Sequence, residues 1–381
     1  MSEEDVVDFA PDATAAAVAD AAEEVFVRHR PDWTDRFGAK PGFDAPLWRA
    51  IADAGLTALP LPTVHDGDDV DAGAILPLLR RMGRSAAVTP ALGALTSALT
   101  LRHADPDAAA DGPRARWTAS LTGAGWHAVA LGEPGEALTA TPQTTVRDGR
   151  LTGVKTGVLH ADGAGALIVA ADAGAVLVRP DAPGVSMERT PTSSGWAEYT
   201  VRFAGVEVDE ADILTGERDF LRDVYRLVLC AYADGLVAGA TRLTADHVSN
   251  RNQFGKPIAL FQAVGQQLAD VYVTARALDL ATTAAGWRLS EGLDASEDLG
   301  IGTYWLAAEI PATLRTMTHL HGGVGVDITY PLHRYFSVAK DLARLAGGSH
   351  ARLDELADRA DSADHAASDT DTSRELMAGV R

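Results

Sequence analysis

The chain has 381 residues, with 53 acidic against 33 basic side chains and a formal charge of −20. That balance argues against nucleic acid and against an anionic membrane surface as partners, because holding phosphate groups requires clustered lysine and arginine; the acidity reads instead as a solvated, Asp-rich surface. The length suits two or three subdomains at roughly 150 residues each, enough to enclose a cofactor.

The amino terminus, Met1-Ser-Glu-Glu-Asp5, shows neither a basic leader nor an apolar segment, and no run of eighteen apolar residues follows. The expectation is a cytoplasmic protein with no membrane span. From Ala13 to about Ala124 the text is rich in alanine and leucine at helical spacing, broken at Pro31, Pro41, Pro60, Pro62 and Pro90; residues 1–125 read as a helical domain. Between Trp126 and Val208 the period changes to two. Strands are predicted over Val129–Leu131, Leu138–Val146, Leu151–Leu159, Ala166–Ala171, Ala175–Arg179 and Tyr199–Val208, with Arg147-Asp-Gly-Arg150 as a hairpin turn. Residues 126–215 therefore read as a small antiparallel sheet domain.

Helix returns after Gly216, and residues 216–360 read as a second helical domain. Two long amphipathic helices, Asp219–Asn250 and Gln262–Leu289, meet at Arg251-Asn-Gln-Phe-Gly-Lys-Pro-Ile-Ala-Leu-Phe-Gln262, a joint that presents a cation, amides and two aromatics. Cys230, the single cysteine, lies in an apolar helical run and reads as core, so an intrachain disulfide or a thiolate metal cluster is ruled out and no metal is expected. Residues 361–381 are Asp, Ser, Ala and Thr without periodicity, the composition of a disordered tail. The fold class is α+β, with helices, then strands, then helices.

The joint Arg251-Asn-Gln-Phe-Gly-Lys-Pro257 resembles that of the acyl-CoA dehydrogenases, flavoproteins that oxidise the Cα–Cβ bond of CoA thioesters. The resemblance implies FAD as cofactor, with Arg251 on the pyrophosphate, Gln253 and Phe254 lining the cofactor, and Gln262 reaching its adenosine half; a guanidinium suits phosphate through its fixed fork. His319-Leu-His-Gly-Gly-Val-Gly325 followed by Pro331-Leu-His-Arg334 is similar to the family's Gln-x-x-Gly-Gly-x-Gly and Pro-x-x-Arg, with His319 in place of glutamine. Gly322 and Gly323 let the backbone approach a phosphate or adenine. In the family the two motifs come from different subunits, which implies a flavin site made at a dimer interface; the resemblance also implies a β-barrel-like middle domain and a C-terminal four-helix bundle. Leu131-Gly-Glu-Pro-Gly135 and Gly153-Val-Lys-Thr-Gly157 match the family's sheet motifs but carry Gly132 and Thr156 where a threonine and a tryptophan touch the flavin ring.

Dehydrogenation needs a carboxylate for the α-proton. Most members hold it as Glu-Gly-Thr beyond the glycine motif, where this chain has Gly347-Gly-Ser349; others hold it 26 residues before the joint arginine, where this chain has Tyr225. Neither residue is a base at neutral pH, and the nearby substitutes are Asp223 and His350. The pattern resembles heterotetrameric members, notably those shortening steroid side chains, in which one subunit type has lost the glutamate. The expected function is α,β-dehydrogenation of an acyl-CoA together with a homologous partner in a hetero- or homotetramer, with electron-transfer flavoprotein or a similar protein as acceptor. The alternatives are a self-sufficient homo-oligomer with a non-standard base, such as Asp223, and a flavin-free scaffold subunit.

Overall fold

A computed structural model describes residues 11–31, 42–105, 111–112 and 114–361. Met1–Asp5, Pro41 and, beyond Asp361, the expected tail lie outside the described residues. Five helices come first: α1 (Ala13–Arg28), α2 (Ala45–Asp53), α3 (Leu76–Arg84), α4 (Ala91–Ala104) and α5 (Ala115–Ala119). Asp12 and Asp44 start α1 and α2 by accepting the amides of Ala15 and Leu47, which satisfies donors the first turn leaves open. α2 ends before Gly55, whose φ of 76° is the left-handed conformation a helix stop favours.

Eight strands follow: β1 (His127–Ala130), β2 (Thr145–Arg147), β3 (Arg150–Leu159), β4 (Ala166–Ala171), β5 (Gly174–Val178), β6 (Val185–Thr190), β7 (Glu198–Glu207) and β8 (Ile213–Leu214). They form two four-stranded sheets, ordered β1-β4-β5-β8 and β2-β3-β7-β6, rather than a closed barrel. β1 runs parallel to β4, so one sheet is mixed where an antiparallel arrangement was expected. Asp148 and Gly149, with φ of 50° and 68°, make the two-residue turn expected between β2 and β3. The strand expected over Leu138–Val146 shrinks to β2, because the Glu133 carboxylate accepts the amides of Gln143 and Thr144 and takes them out of the ladder. Conversely β6, Val-Ser-Met-Glu-Arg-Thr, lacks an apolar period because it is a largely exposed edge strand.

The centre of the molecule is α6 (Arg218–Asn250), a 33-residue helix packed by α3 and α4 on one side and by α7 (Gln262–Ser290), α8 (Ser296–His321) and α9 (Leu332–Leu345) on the other. It is apolar around its whole circumference from Leu227 to Ala233, the pattern of a helix buried on every side. Among the described residues it alone is long and apolar enough to cross a membrane, but 72% of that stretch is buried inside the protein, so it reads as a core helix. It touches α3 backbone to backbone: a Cβ on Gly235 would lie 2.0 Å from the Arg80 carbonyl oxygen. A further helix, α10, covers residues 349–361.

Candidate active site

Between the sheets and the bundle lies a cavity of about 330 Å³, walled by Leu131, Gly132, Glu136 and Thr156 from the sheet side and by Tyr225, Arg344 and Gly347 from the bundle. Both positions at which a family base could stand thus open onto one cavity. Tyr225 is buried, and desolvation pushes its hydroxyl further above the ordinary tyrosine range. The two weaker candidates are elsewhere. Asp223 sits 3.8 Å from both Arg222 and Arg226, outside the cavity wall, and burial raises its carboxyl against those two cations. His350 is exposed in the first turn of α10 and does not reach the wall.

The sheet side is fixed by a buried cluster that periodicity did not reveal. Lys155 Nζ donates to Glu133 Oε1 at 2.8 Å and to the Leu131 carbonyl at 3.1 Å. Glu133 also accepts from Thr144 Oγ1 at 2.6 Å and from the Gln143 and Thr144 amides. Burial alone would raise the Glu133 carboxyl, but these donors outweigh it and hold the group below its usual range. The cluster staples the 131–137 loop to β3. Gly132 and Thr156 are neighbours in it, the Thr156 amide donating to the Gly132 carbonyl at 2.8 Å. A Cβ on Gly132 would come within 2.8 Å of the Thr156 carbonyl oxygen, so the backbone of β3 leaves no room for a side chain at 132. Across the cavity Glu198, buried and raised by desolvation against the opposing effect of its Arg344 partner, anchors the end of α9.

The joint is at the far end of α6. The Arg251 amide donates to the His247 carbonyl and ends the helix, and Asn252–Gln253 pairs with Lys256–Pro257 around a turn at Phe254 and Gly255, with φ of 52° and 78°. A phenylalanine at positive φ is uncommon, and this one is 93% exposed. Arg251, Gln253 and Gln262 are exposed as well, and the Arg251 guanidinium has no hydrogen-bond or ion-pair partner among the described residues. Gly322 and Gly323, at the end of α8, leave open space where a Cβ would stand, and His319 is exposed beside them.

These two motifs converge in one chain, because His247, one turn before Arg251, stacks on His321, next to Gly322, with ring centroids 4.3 Å apart. The resemblance implies that at one flavin they come from different subunits; within this chain they lie side by side. What is divided is the ring cavity from the dinucleotide end: Tyr225 and Arg251 lie on one straight helix, about 39 Å apart at 1.5 Å per residue.

Helices before and after a sheet pair, a cavity between them and an exposed cation-aromatic joint define an acyl-CoA dehydrogenase-like flavoprotein. The family model "Acyl-CoA dehydrogenase, C-terminal domain" matches residues 223–360. The acyl-CoA dehydrogenase FadE28 of Mycobacterium tuberculosis is 43% identical over 93% of this chain and 99% of its own length. Among solved structures, a variant of the Tcur3481-Tcur3483 steroid ACAD superposes with a TM-score of 0.82 at 31% identity, covering 92% of this chain and 98% of that one. The ChsE4-ChsE5 complex from Mycobacterium tuberculosis gives 0.81 at 28% identity, with the same coverage of both chains. The chain belongs to the acyl-CoA dehydrogenase family, whose cofactor is FAD. The residues present fit that group: a cavity with apolar Val129, Leu131 and Leu345 and with Gly132 and Gly347 in its wall for a ring, and a guanidinium without a partner among the described residues, near open glycines, for a pyrophosphate.

Proposed function

We propose that this chain is an FAD-dependent acyl-CoA dehydrogenase subunit that lacks its own catalytic base and works with a homologous, base-bearing partner on a bulky acyl-CoA such as a steroid-derived one. The observation that carries the reading is the cavity wall, where both base positions are present and hold Tyr225 and Gly347. Flavin, when bound, supplies the hydride acceptor. The residues of this chain then have three tasks. Arg251 neutralises the pyrophosphate of a flavin whose ring lies in another chain. The Lys155–Glu133 cluster keeps the 131–137 loop in place as a wall. Leu131, Val129 and Leu345 supply apolar surface that excludes water from the cavity.

Proton removal is the task left over. Of the two carboxylates on the wall, Glu133 is consumed by its donors, and Glu136 is exposed to solvent. The partnership is supported by exposed apolar side chains on the joint and α7, including Phe254, Leu260, Tyr272 and Val273. It is also supported by the two-component names of both structural relatives.

The test is reconstitution: the chain, a homologous partner carrying a glutamate at either base position, and their mixture are assayed with an acyl-CoA and an electron acceptor. Turnover by the mixture alone, or by the mixture far above the partner, supports the reading. Equal turnover by this chain alone refutes it, and turnover by neither with flavin absent favours the scaffold.

A further inference from the structure

Gly347 ends the α9 segment in a tight stop: its amide donates to the Arg344 carbonyl, the next amide to the Ala343 carbonyl, and both Gly347 and Gly348 have positive φ, 90° and 78°. A Cβ on Gly347 would lie 3.3 Å from Arg352 Nη2 and 3.4 Å from its Nε. The side chain of Arg352 is only 6% exposed and is tied by Nη1 to Glu355, one turn on in α10. Glu355 also accepts from Arg226 Nη1 at 2.9 Å, and the fully buried Arg226 donates to Thr303 Oγ1 on α8. Arg222 and Asp223 join the cluster, Glu136 also acts on Arg352 and Asp219 and Asp294 on Asp223, and the Nε atoms of all three arginines lack a hydrogen-bond partner among the described residues. The group nearest a side chain at 347 is thus a guanidinium with an unused donor.

We propose that Arg352 claims any anion placed at 347, so that a carboxylate regained there pairs with the guanidinium instead of accepting a substrate proton. This rests on the reading of 347 as a vacated base position. A carboxylate in contact with a guanidinium titrates about 1–3 pH units low, which weakens it as a base. The loss of the base is therefore built into two positions, and one substitution does not reverse it. The other charged groups around the turn are Arg344 on α9, paired to Glu198, and Glu136 across the cavity.

A thiol reports that field without flavin or substrate. Cys230, the one native cysteine, is buried, so in Gly347→Cys the new thiol is the one accessible to iodoacetamide. The pH midpoint of its alkylation is expected at least one pH unit below the ordinary thiol value of about 8.5, and to return toward that value when Arg352→Gln is added. A midpoint at or above the ordinary value, unmoved by Arg352→Gln, overturns the proposal. Should Gly347→Cys fail to fold, Gly347→Asp and Gly347→Asn replace it, since both residues tolerate positive φ. The aspartate variant is then expected to melt higher at neutral pH, with the gap closing on Arg352→Gln; no gap overturns the proposal. Neither readout depends on partner or cofactor, so failure of the subunit reading is seen separately in the reconstitution assay.

Discussion

At the residue scale the joint is defined by exposed groups, a cation and an aromatic ring, that reach out from the chain. Arg251 has no counter-ion among the described residues, and Phe254 shows its ring to solvent from a left-handed backbone. A charge-assisted contact to phosphate is worth about 1.5–3 kcal/mol, so Arg251→Ala is expected to weaken flavin retention by on the order of tenfold to a hundredfold, read as flavin per chain after gel filtration. Arg251→Lys recovers part of it, since a point charge lacks the bidentate fork; full retention by Arg251→Ala would remove this residue from the flavin. Glu136 separates the two enzyme readings. With the base in the partner, Glu136→Gln leaves the turnover of the complex within about twofold, whereas a loss of about 10²–10⁴, the usual value of a general base, would make this chain self-sufficient.

At the element scale the sequence was legible where a single period or motif decides the structure. α6 and α7 fall within a residue of their expected bounds, because each carries a long helical pattern that stops at the joint. The 131–144 loop was not legible, since its shape depends on Glu133 meeting Lys155 and two amides from other stretches of chain, which no local pattern encodes. An isolated charge in an apolar run was the available signal, both for Lys155 in β3 and for Arg226 in α6. Lys155→Met leaves a buried carboxylate without its cation and is expected to cost about 3–5 kcal/mol of stability, measured by denaturant unfolding. A loss below 1 kcal/mol, by the scale of exposed pairs, would mean the cluster does not hold the loop.

His127 ties α4 and the end of α5 to β1, its ring nitrogens 2.6 Å from Ser97 Oγ and 2.7 Å from Ser120 Oγ. Burial lowers it to about 3, and His160, also buried and near Arg189, likewise to about 3. The unfolded chain takes up protons at these groups below about pH 6.5, while the folded chain refuses them until about pH 3. Stability is therefore expected to be full above pH 6.5 and to decline as pH falls from there toward 3. His127→Gln should flatten part of that decline in the melting temperature; an unchanged pH profile would show that His127 does not contribute.

At the scale of the whole molecule the length of α6 sets the assembly. It carries Tyr225 on the cavity wall near one end and Arg251 at the joint at the other, and the shared-site reading proposed above rests on that separation. The resemblance in the motifs implies a shared site, and it gives no sign that the joint and the glycine motif lie side by side in one chain through His247 and His321. Sequence spacing alone could not show this, because the stacking is a product of α6 and α8 packing.

The central claim is that this chain can take part in holding flavin yet cannot start the reaction from its own cavity. The most direct measurement is the visible flavin spectrum of the chain purified alone and loaded with FAD, titrated anaerobically with an acyl-CoA, beside the same titration of its complex with a base-bearing homologue. The account predicts bleaching of the flavin in the complex and none in the lone chain. Bleaching of the lone chain at a comparable rate would contradict it.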